Sequence, residues 1–242
     1  MHLLMRGGGD PKMGVPMTIT FVSEAEYELH GVRLPDWSSR SFCVFDLEGT
    51  GIHFETECIT QIGAVFVDEG EDRAAESFES LVRSPKPIPQ AIERLTGISN
   101  EAMAGAPEFP DAYERFRRFV GNAVLVTQAG YEYDVPMLEK HCHRYGLPMF
   151  DNVVLDTKAL FTNIHPDIPD VVSTDFLIRY YGIDASGFKR HDALGDCRLI
   201  AAIFRHIAKE YEERSFRERV IDGLRVKRFR IPGMYRAEGT GD

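Results

Sequence analysis

The chain has 242 residues, of which 43% are apolar and 27% charged, with a formal net charge of −10. That balance excludes a wholly disordered, collagenous or fibrous protein. The longest apolar run, residues 199–204, falls far short of the roughly 20 residues that span a bilayer. The opening MHLLMRGGGD also lacks the apolar core of a secretory signal, so a soluble, cytoplasmic protein with no membrane association is expected.

Residues 1–17 are rich in Gly, Met and Pro and show no periodicity, so they read as a flexible leader. They open an N-terminal extension over residues 1–40 that also holds a short strand at 18–22 and a Pro-containing connector. From Ser41 the pattern sharpens. The apolar run at 42–47 ends in charge and predicts a buried strand. Two more strands follow at 59–67 and 77–82, with Asp-Glu-Gly-Glu-Asp between them as a turn. Short links between three strands predict an antiparallel meander. Residues 88–95 predict a short helix ended by Gly97, and 111–120 carries Tyr113, Phe116, Phe119 and Val120 at helical spacing. A strand at 123–127, a helix at 135–145 stopped by Gly146 and a strand at 153–155 come next. Helices near 157–163 and 173–181 lead to a long last helix from about 192 to 212. Strands that are first antiparallel and then alternate with helices predict an α/β domain over 41–212: a mixed five-stranded sheet with helices on both faces. Residues 213–242 then form a C-terminal tail.

That tail is basic. Arg214, Arg217, Arg219, Arg225, Lys227, Arg228, Arg230 and Arg236 stand against Glu218 and Asp222, so the rest of the chain is strongly acidic. Two readings stay open: contact with a phosphate backbone, or pairing with the protein's own acidic surface. Cys43, Cys58, Cys142 and Cys197 lack metal-ligand or disulfide spacing and read as small buried side chains. His141-Cys142-His143 is adjacent on a helix, where neighbours diverge, and is expected to be structural.

Chemistry concentrates in three places. In Phe45-Asp46-Leu47-Glu48-Gly49-Thr50-Gly51, residues two apart on a strand share a face, so Asp46 and Glu48 project together. Two neighbouring carboxylates repel each other, and a divalent cation is the usual remedy; an exposed strand end is the plainer reading. Asp134, at the head of a helix, reads by itself as an N-cap. In His191-Asp192-Ala193-Leu194-Gly195-Asp196, Asp192 suits a helix cap, Asp196 lies one turn on, and His191 stands just outside.

Taken together, Asp46, Glu48, Asp134, His191 and Asp196 resemble, in order, spacing and setting, the DEDDh family of 3′–5′ exonucleases. The likeness is to the epsilon-type proofreading subunits and domains of bacterial DNA polymerase III, and it covers about residues 41–208. Ile59-Thr60-Gln61-Ile62-Gly63-Ala64, Pro87-Ile88-Pro89, Leu95-Thr96-Gly97-Ile98 and Val154-Leu155-Asp156-Thr157 also resemble family landmarks. The chain departs from the pattern at Gly49-Thr50, where many members have two threonines, at Ala129-Gly130 in place of His-Asn, and at Gln61 in place of Glu.

The resemblance implies a ribonuclease H-like fold. It also implies two divalent cations, Mg²⁺ or Mn²⁺, held by Asp46, Glu48, Asp134 and Asp196, with His191 as the general base. The expected reaction releases nucleoside 5′-monophosphates from a nucleic acid with a free 3′ end, DNA and single strands being favoured. A polymerase or repair partner is also expected. Two alternatives are an RNA exonuclease resembling oligoribonuclease or ribonuclease T, and a nuclease-fold subunit that docks through Leu224, Val226, Phe229 and Ile231.

Overall fold

A computed structural model of the chain describes residues 2–4, 17–33, 39–67, 76–214 and 220–233. The predicted turn at 68–72 and most of the expected leader lie outside the described residues. Four short strands come first: β1 (His2–Leu4), β2 (Thr18–Phe21), β3 (Glu26–His30) and β4 (Val32–Arg33). Then come β5 (Phe42–Gly49), β6 (Ile59–Phe66) and β7 (Ser77–Leu81), followed by helices α1 (Gln90–Thr96), α2 (Asn100–Ala104) and α3 (Phe109–Val120). The chain continues through β8 (Val124–Thr127), α4 (Asp134–Tyr145), β9 (Val154–Asp156), α5 (Thr157–Ile164), α6 (Thr174–Tyr181) and α7 (Ala193–Glu213). It ends in β10 (Val220–Ile221) and β11 (Leu224–Lys227).

The main sheet has the order β7-β6-β5-β8-β9. Strands β5, β6 and β7 pair antiparallel, whereas β5, β8 and β9 run parallel, so the predicted mixed five-stranded sheet is what forms. Central β5 is apolar on both faces, as a strand covered on two sides must be. Phe45 meets Phe116 of α3 at 5.9 Å between ring centroids, and Phe42 meets Phe204 of α7 at 5.1 Å on the other face. By the two-residue period of a strand, Asp46 and Glu48 share the face of Phe42, beneath α7. Helix α7 is held there by buried Leu199, Ile203, Phe204 and Ile207.

The expected strand at 18–22 forms as β2, and residues read from the sequence as leader, connector and tail join it in a second sheet. Its order is β1-β2-β3-β11, all antiparallel, with Leu29 opposite Leu224 and Tyr27 opposite Val226. The short β10 pairs with β4. In place of a wholly flexible leader, β1 is paired to β2. Ile19, Phe21, Tyr27, Leu29 and Val226 are buried in the same core as the main sheet. The strict alternation Glu26-Tyr27-Glu28-Leu29-His30 produces this one-sided burial. Among the described residues Arg225 reaches Glu28 at 3.2 Å, Arg214 reaches Glu210 at 3.1 Å and Lys227 bonds the Pro169 carbonyl, whereas the buried Arg228 guanidinium makes no hydrogen bond. Arg217, Arg219 and Arg236 lie outside the described residues.

Other expectations resolve locally. All four cysteines are buried. His141 is a core side chain: its Nε2 accepts from the Ile59 N–H at 3.3 Å and its Nδ1 faces the Met137 carbonyl at 2.8 Å. Burial pushes its pKa down to about 4.

One contact sets the position of α7. Gly63 stands opposite Asp46 in the β5–β6 register. A Cβ there would lie 2.5 Å from the Ala193 carbonyl carbon and 2.7 Å from the Leu194 nitrogen, backbone atoms that have no room to yield. Gly63→Ala is therefore expected to destabilise the protein by roughly 1–3 kcal/mol, the usual range for overpacking. Urea denaturation measures it, and an unchanged midpoint would contradict this packing.

Candidate active site

Strand β5 carries Asp46 and Glu48 to the sheet's end, where a register shift between Glu48 and Gly49 breaks the β6 ladder. Helix α7 brings Asp196 to the same place from above. Ligand oxygens of Asp46, Glu48 and Asp196 all lie within 4.8 Å of one another. Asp134 is not in that trio but lines the same pocket, as do His191 and Arg190. All five sequence-predicted residues thus border one cavity of about 270 Å³.

Local structure places each of them. The first turn of α7 is fixed by the Asp192 side chain, which accepts from the Gly195 N–H at 3.0 Å as the predicted cap. Gln61 of β6 accepts from the Ala193 N–H at 3.0 Å and donates to Glu79 at 2.7 Å, so this amide ties α7 to the sheet. His191 has a left-handed backbone, φ 57°, unusual for a residue with a side chain. Its N–H is anchored on the Asp196 carboxylate at 2.7 Å, and the residue is exposed where it lines the pocket.

Asp134 differs from its expected role as a cap. It is the first residue of α4 rather than the cap, and its carboxylate accepts from the Thr127 hydroxyl at 2.7 Å. The turn before it is held by buried Asp156, whose oxygens accept from the N–H groups of Ala129 and Tyr131, both at 3.0 Å, and of Lys158 at 2.9 Å. Ala129 adopts φ 56° to make this turn. At Gly130 a Cβ would sit 2.2 Å from the Thr127 hydroxyl oxygen, the group that orients Asp134. The Ala129-Gly130 departure from the family pattern is thus built into the support of Asp134.

The carboxylates are held against their own repulsion. Burial, then Asp134, Glu48 and Asp196, push Asp46 well above the usual carboxylate range. Burial and the charges of Asp196 and Asp134 push Glu48 up to about 8, and burial pushes Asp134 up to about 7. Arg190 supplies one positive charge, its Nε donating to Asp196 and its Nη1 to Asp175, each at 2.8 Å. An all-oxygen trio whose charged form is this strongly disfavoured without a counter-ion fits a hard divalent cation such as Mg²⁺ or Mn²⁺.

Sequence reasoning missed Arg190, Thr127 and the buried ion pair of Lys158 with Glu132, which lines the pocket. Arg190 adjoins His191, and its neighbourhood was the one available signal. The partners of Thr127 and Lys158 emerge only when the chain folds.

A family model described as Exonuclease (RNase T) matches residues 43–204. The chain is 32% identical over 170 residues to a DNA polymerase III subunit epsilon of Aquifex aeolicus, covering 70% of this chain and 81% of that protein. It is 29% identical over 194 residues to a DNA polymerase III PolC-type of Clostridium perfringens, covering 77% of this chain but only 13% of that protein. Among solved structures, the nuclease domain of 3′hExo, a DEDDh family member bound to rAMP, matches with a TM-score of 0.61 at 18% identity. That match covers 78% of this chain and 100% of the other. Exonuclease I of E. coli in complex with a dT13 oligonucleotide matches with a TM-score of 0.58 at 14% identity, covering 73% of this chain and 43% of that one. These two structures share the fold.

The raised carboxylates make stability depend on pH and cation. Because Glu48 and Asp134 hold protons in the folded state that an unfolded chain has already released, chelator-treated protein should lose stability as pH climbs from about 4 towards 8. Glu48→Gln removes one of these charges and is expected to stabilise that form at pH 8 by about 1–3 kcal/mol. The same change should diminish the stabilisation by Mn²⁺. Thermal melts with Mn²⁺ or chelator test both, and a Glu48→Gln variant less stable than wild type in chelator at pH 8 would contradict the electrostatic account.

Proposed function

The chain belongs to this exonuclease family, and we propose that it is a metal-dependent enzyme that shortens DNA from the 3′ end and releases nucleoside 5′-monophosphates. The observation that carries the reading is the trio Asp46, Glu48 and Asp196 within 4.8 Å, with Asp134 and His191 on the same pocket. Asp46, Glu48, Asp134 and Asp196 are the ligand set we assign to two divalent ions, Mg²⁺ or Mn²⁺. When bound, such ions would offset the repulsion among the carboxylates, acidify water and neutralise charge on the scissile phosphate.

The remaining work falls to this chain's own side chains. The His191 imidazole removes a proton from the water that attacks the terminal phosphorus, and its exposed position lets it pass that proton on to solvent. The N–H anchor to Asp196 keeps the base in register with the carboxylates. Arg190, already paired to Asp196, adds positive charge where the phosphate is held. In-line displacement then expels the 3′ oxygen of the preceding nucleotide, and one nucleoside 5′-monophosphate leaves.

DNA and single strands are favoured because the similar chains from Aquifex aeolicus and Clostridium perfringens are named as DNA polymerase III proteins, and because the E. coli neighbour is seen with a dT13 strand. The same names support a polymerase or repair partner. They also support a cytoplasmic setting, and among the described residues no helix is long and apolar enough to cross a membrane.

His191→Ala is expected to lower turnover by about 10²–10⁴-fold, the span of a general base. Binding of a single strand in Ca²⁺ should stay within about twofold of wild type. Steady-state cleavage and fluorescence anisotropy measure the two, and a variant with near-wild-type turnover would remove His191 from the mechanism.

A further inference from the structure

Beyond the last helix, the chain returns to the pocket. Strand β11 runs out into a strap, residues 228–233, that ends in a turn at Pro232–Gly233 and lies outside the residues matched by the family model. The alternate burial of β11 carries on as far as Arg228. Val226 and Arg228 are buried, and the Arg228 guanidinium lies 4.2 Å from the centroid of the Phe21 ring in the second sheet. Alternate with them, Phe229 and Ile231 line the same pocket as Asp46, Glu48, Asp134, His191 and Asp196.

The strap is tied down on both sides of these residues. The Arg228 N–H donates to the Ala25 carbonyl at 2.8 Å, and the Phe54 N–H donates to the Pro232 carbonyl at 3.0 Å. Between them the Phe229 N–H donates to the Glu132 carboxylate at 2.8 Å. Glu132 is itself paired with fully buried Lys158, whose Nζ stands 4.2 Å from the centroid of the Phe229 ring. A buried ion pair is a costly way to hold a surface segment, yet it fixes both the backbone and the ring of Phe229. The residue nonetheless remains 40% exposed.

A large aromatic ring that is rigidly held, solvent-open and beside the carboxylates has the properties of a base-stacking platform. Every nucleobase offers a π-face, and stacking on an aromatic side chain is tolerant of sequence. We propose that the strap is part of the substrate cleft, with Phe229 as the surface on which a base near the 3′ end stacks, and that the second sheet serves to hold it there. Phe229 is thus a positioning residue of the exonuclease reading on which this inference rests. The apolar residues of the tail are then turned to the protein's own core and cleft, against the alternative of a docking segment built on Leu224, Val226, Phe229 and Ile231.

The test is binding of a fluorescein-labelled oligothymidylate by the full chain in Ca²⁺, followed by anisotropy, with a parallel set of strands carrying a single abasic residue stepped back from the 3′ end. Phe229→Ala should weaken binding of the intact strand about tenfold, and Phe229→Trp should restore it. At one abasic position the wild type should lose a similar factor, while Phe229→Ala loses nothing further. An alanine variant that binds the intact strand as wild type does, or that loses equally with every abasic strand, overturns the stacking role. Matching urea midpoints for the three proteins exclude misfolding as the cause of a loss. The two readings fail separately: wild type that binds but cuts no strand with any divalent cation overturns the exonuclease, whereas wild type that cuts, with Phe229→Ala binding equally well, overturns only the platform.

Discussion

The first turn of α7 rests on the bare backbone of Gly63, and the geometry of the carboxylates follows from that contact. Gly63 lies across the β5–β6 ladder from Asp46, so the helix begins directly above the strand that carries the first two acidic residues. Any side chain at this position would lift the helix and draw Asp196 away from Asp46 and Glu48. The Gln61 amide fastens the same turn through the Ala193 N–H, and the apolar face of α7 continues the grip along the sheet. Three carboxyl groups can be held within 4.8 Å of one another because this packing fixes their backbones, although their charged forms repel. The repulsion then becomes a driving force for taking up a cation.

A second support sits at the end of β8. Thr127, Ala129, Gly130 and Asp156 form one unit in which a buried carboxylate satisfies three backbone N–H groups and a hydroxyl aims Asp134. The unusual backbone of Ala129 belongs to this unit. Gly130 leaves room for the Thr127 side chain, so the sequence that departs from the family pattern still delivers Asp134 to the pocket.

Much of this was legible because its signals are local. The apolar runs of β5, β6 and β8, the helical spacing of α3, and the Asp192 cap each lie within a few residues of sequence. The paired carboxylates at 46 and 48 share a face by strand geometry alone. What escaped depends on distant partners. Leu29 pairs with Leu224 and Tyr27 with Val226, so β3 and β11 complete a sheet whose two halves stand at opposite ends of the chain. Asp134 has the local look of a cap, and only Thr127 explains its different duty. Lys158 sits in a helix whose pattern gives no hint that its charge is buried against Glu132. The functional carboxylates were therefore readable as residues, whereas the framework that aims them was not.

The central claim is that this pocket cuts phosphodiester bonds from the 3′ end with the help of divalent cations. The most direct measurement is a denaturing gel of a 5′-labelled single strand of DNA, beside the same strand in RNA, incubated with Mn²⁺ or with chelator. A ladder that shortens from the 3′ end with time, requires the cation and runs faster on DNA is the result expected. An intact strand with every cation, a single internal fragment, or equal cleavage in chelator would contradict the account.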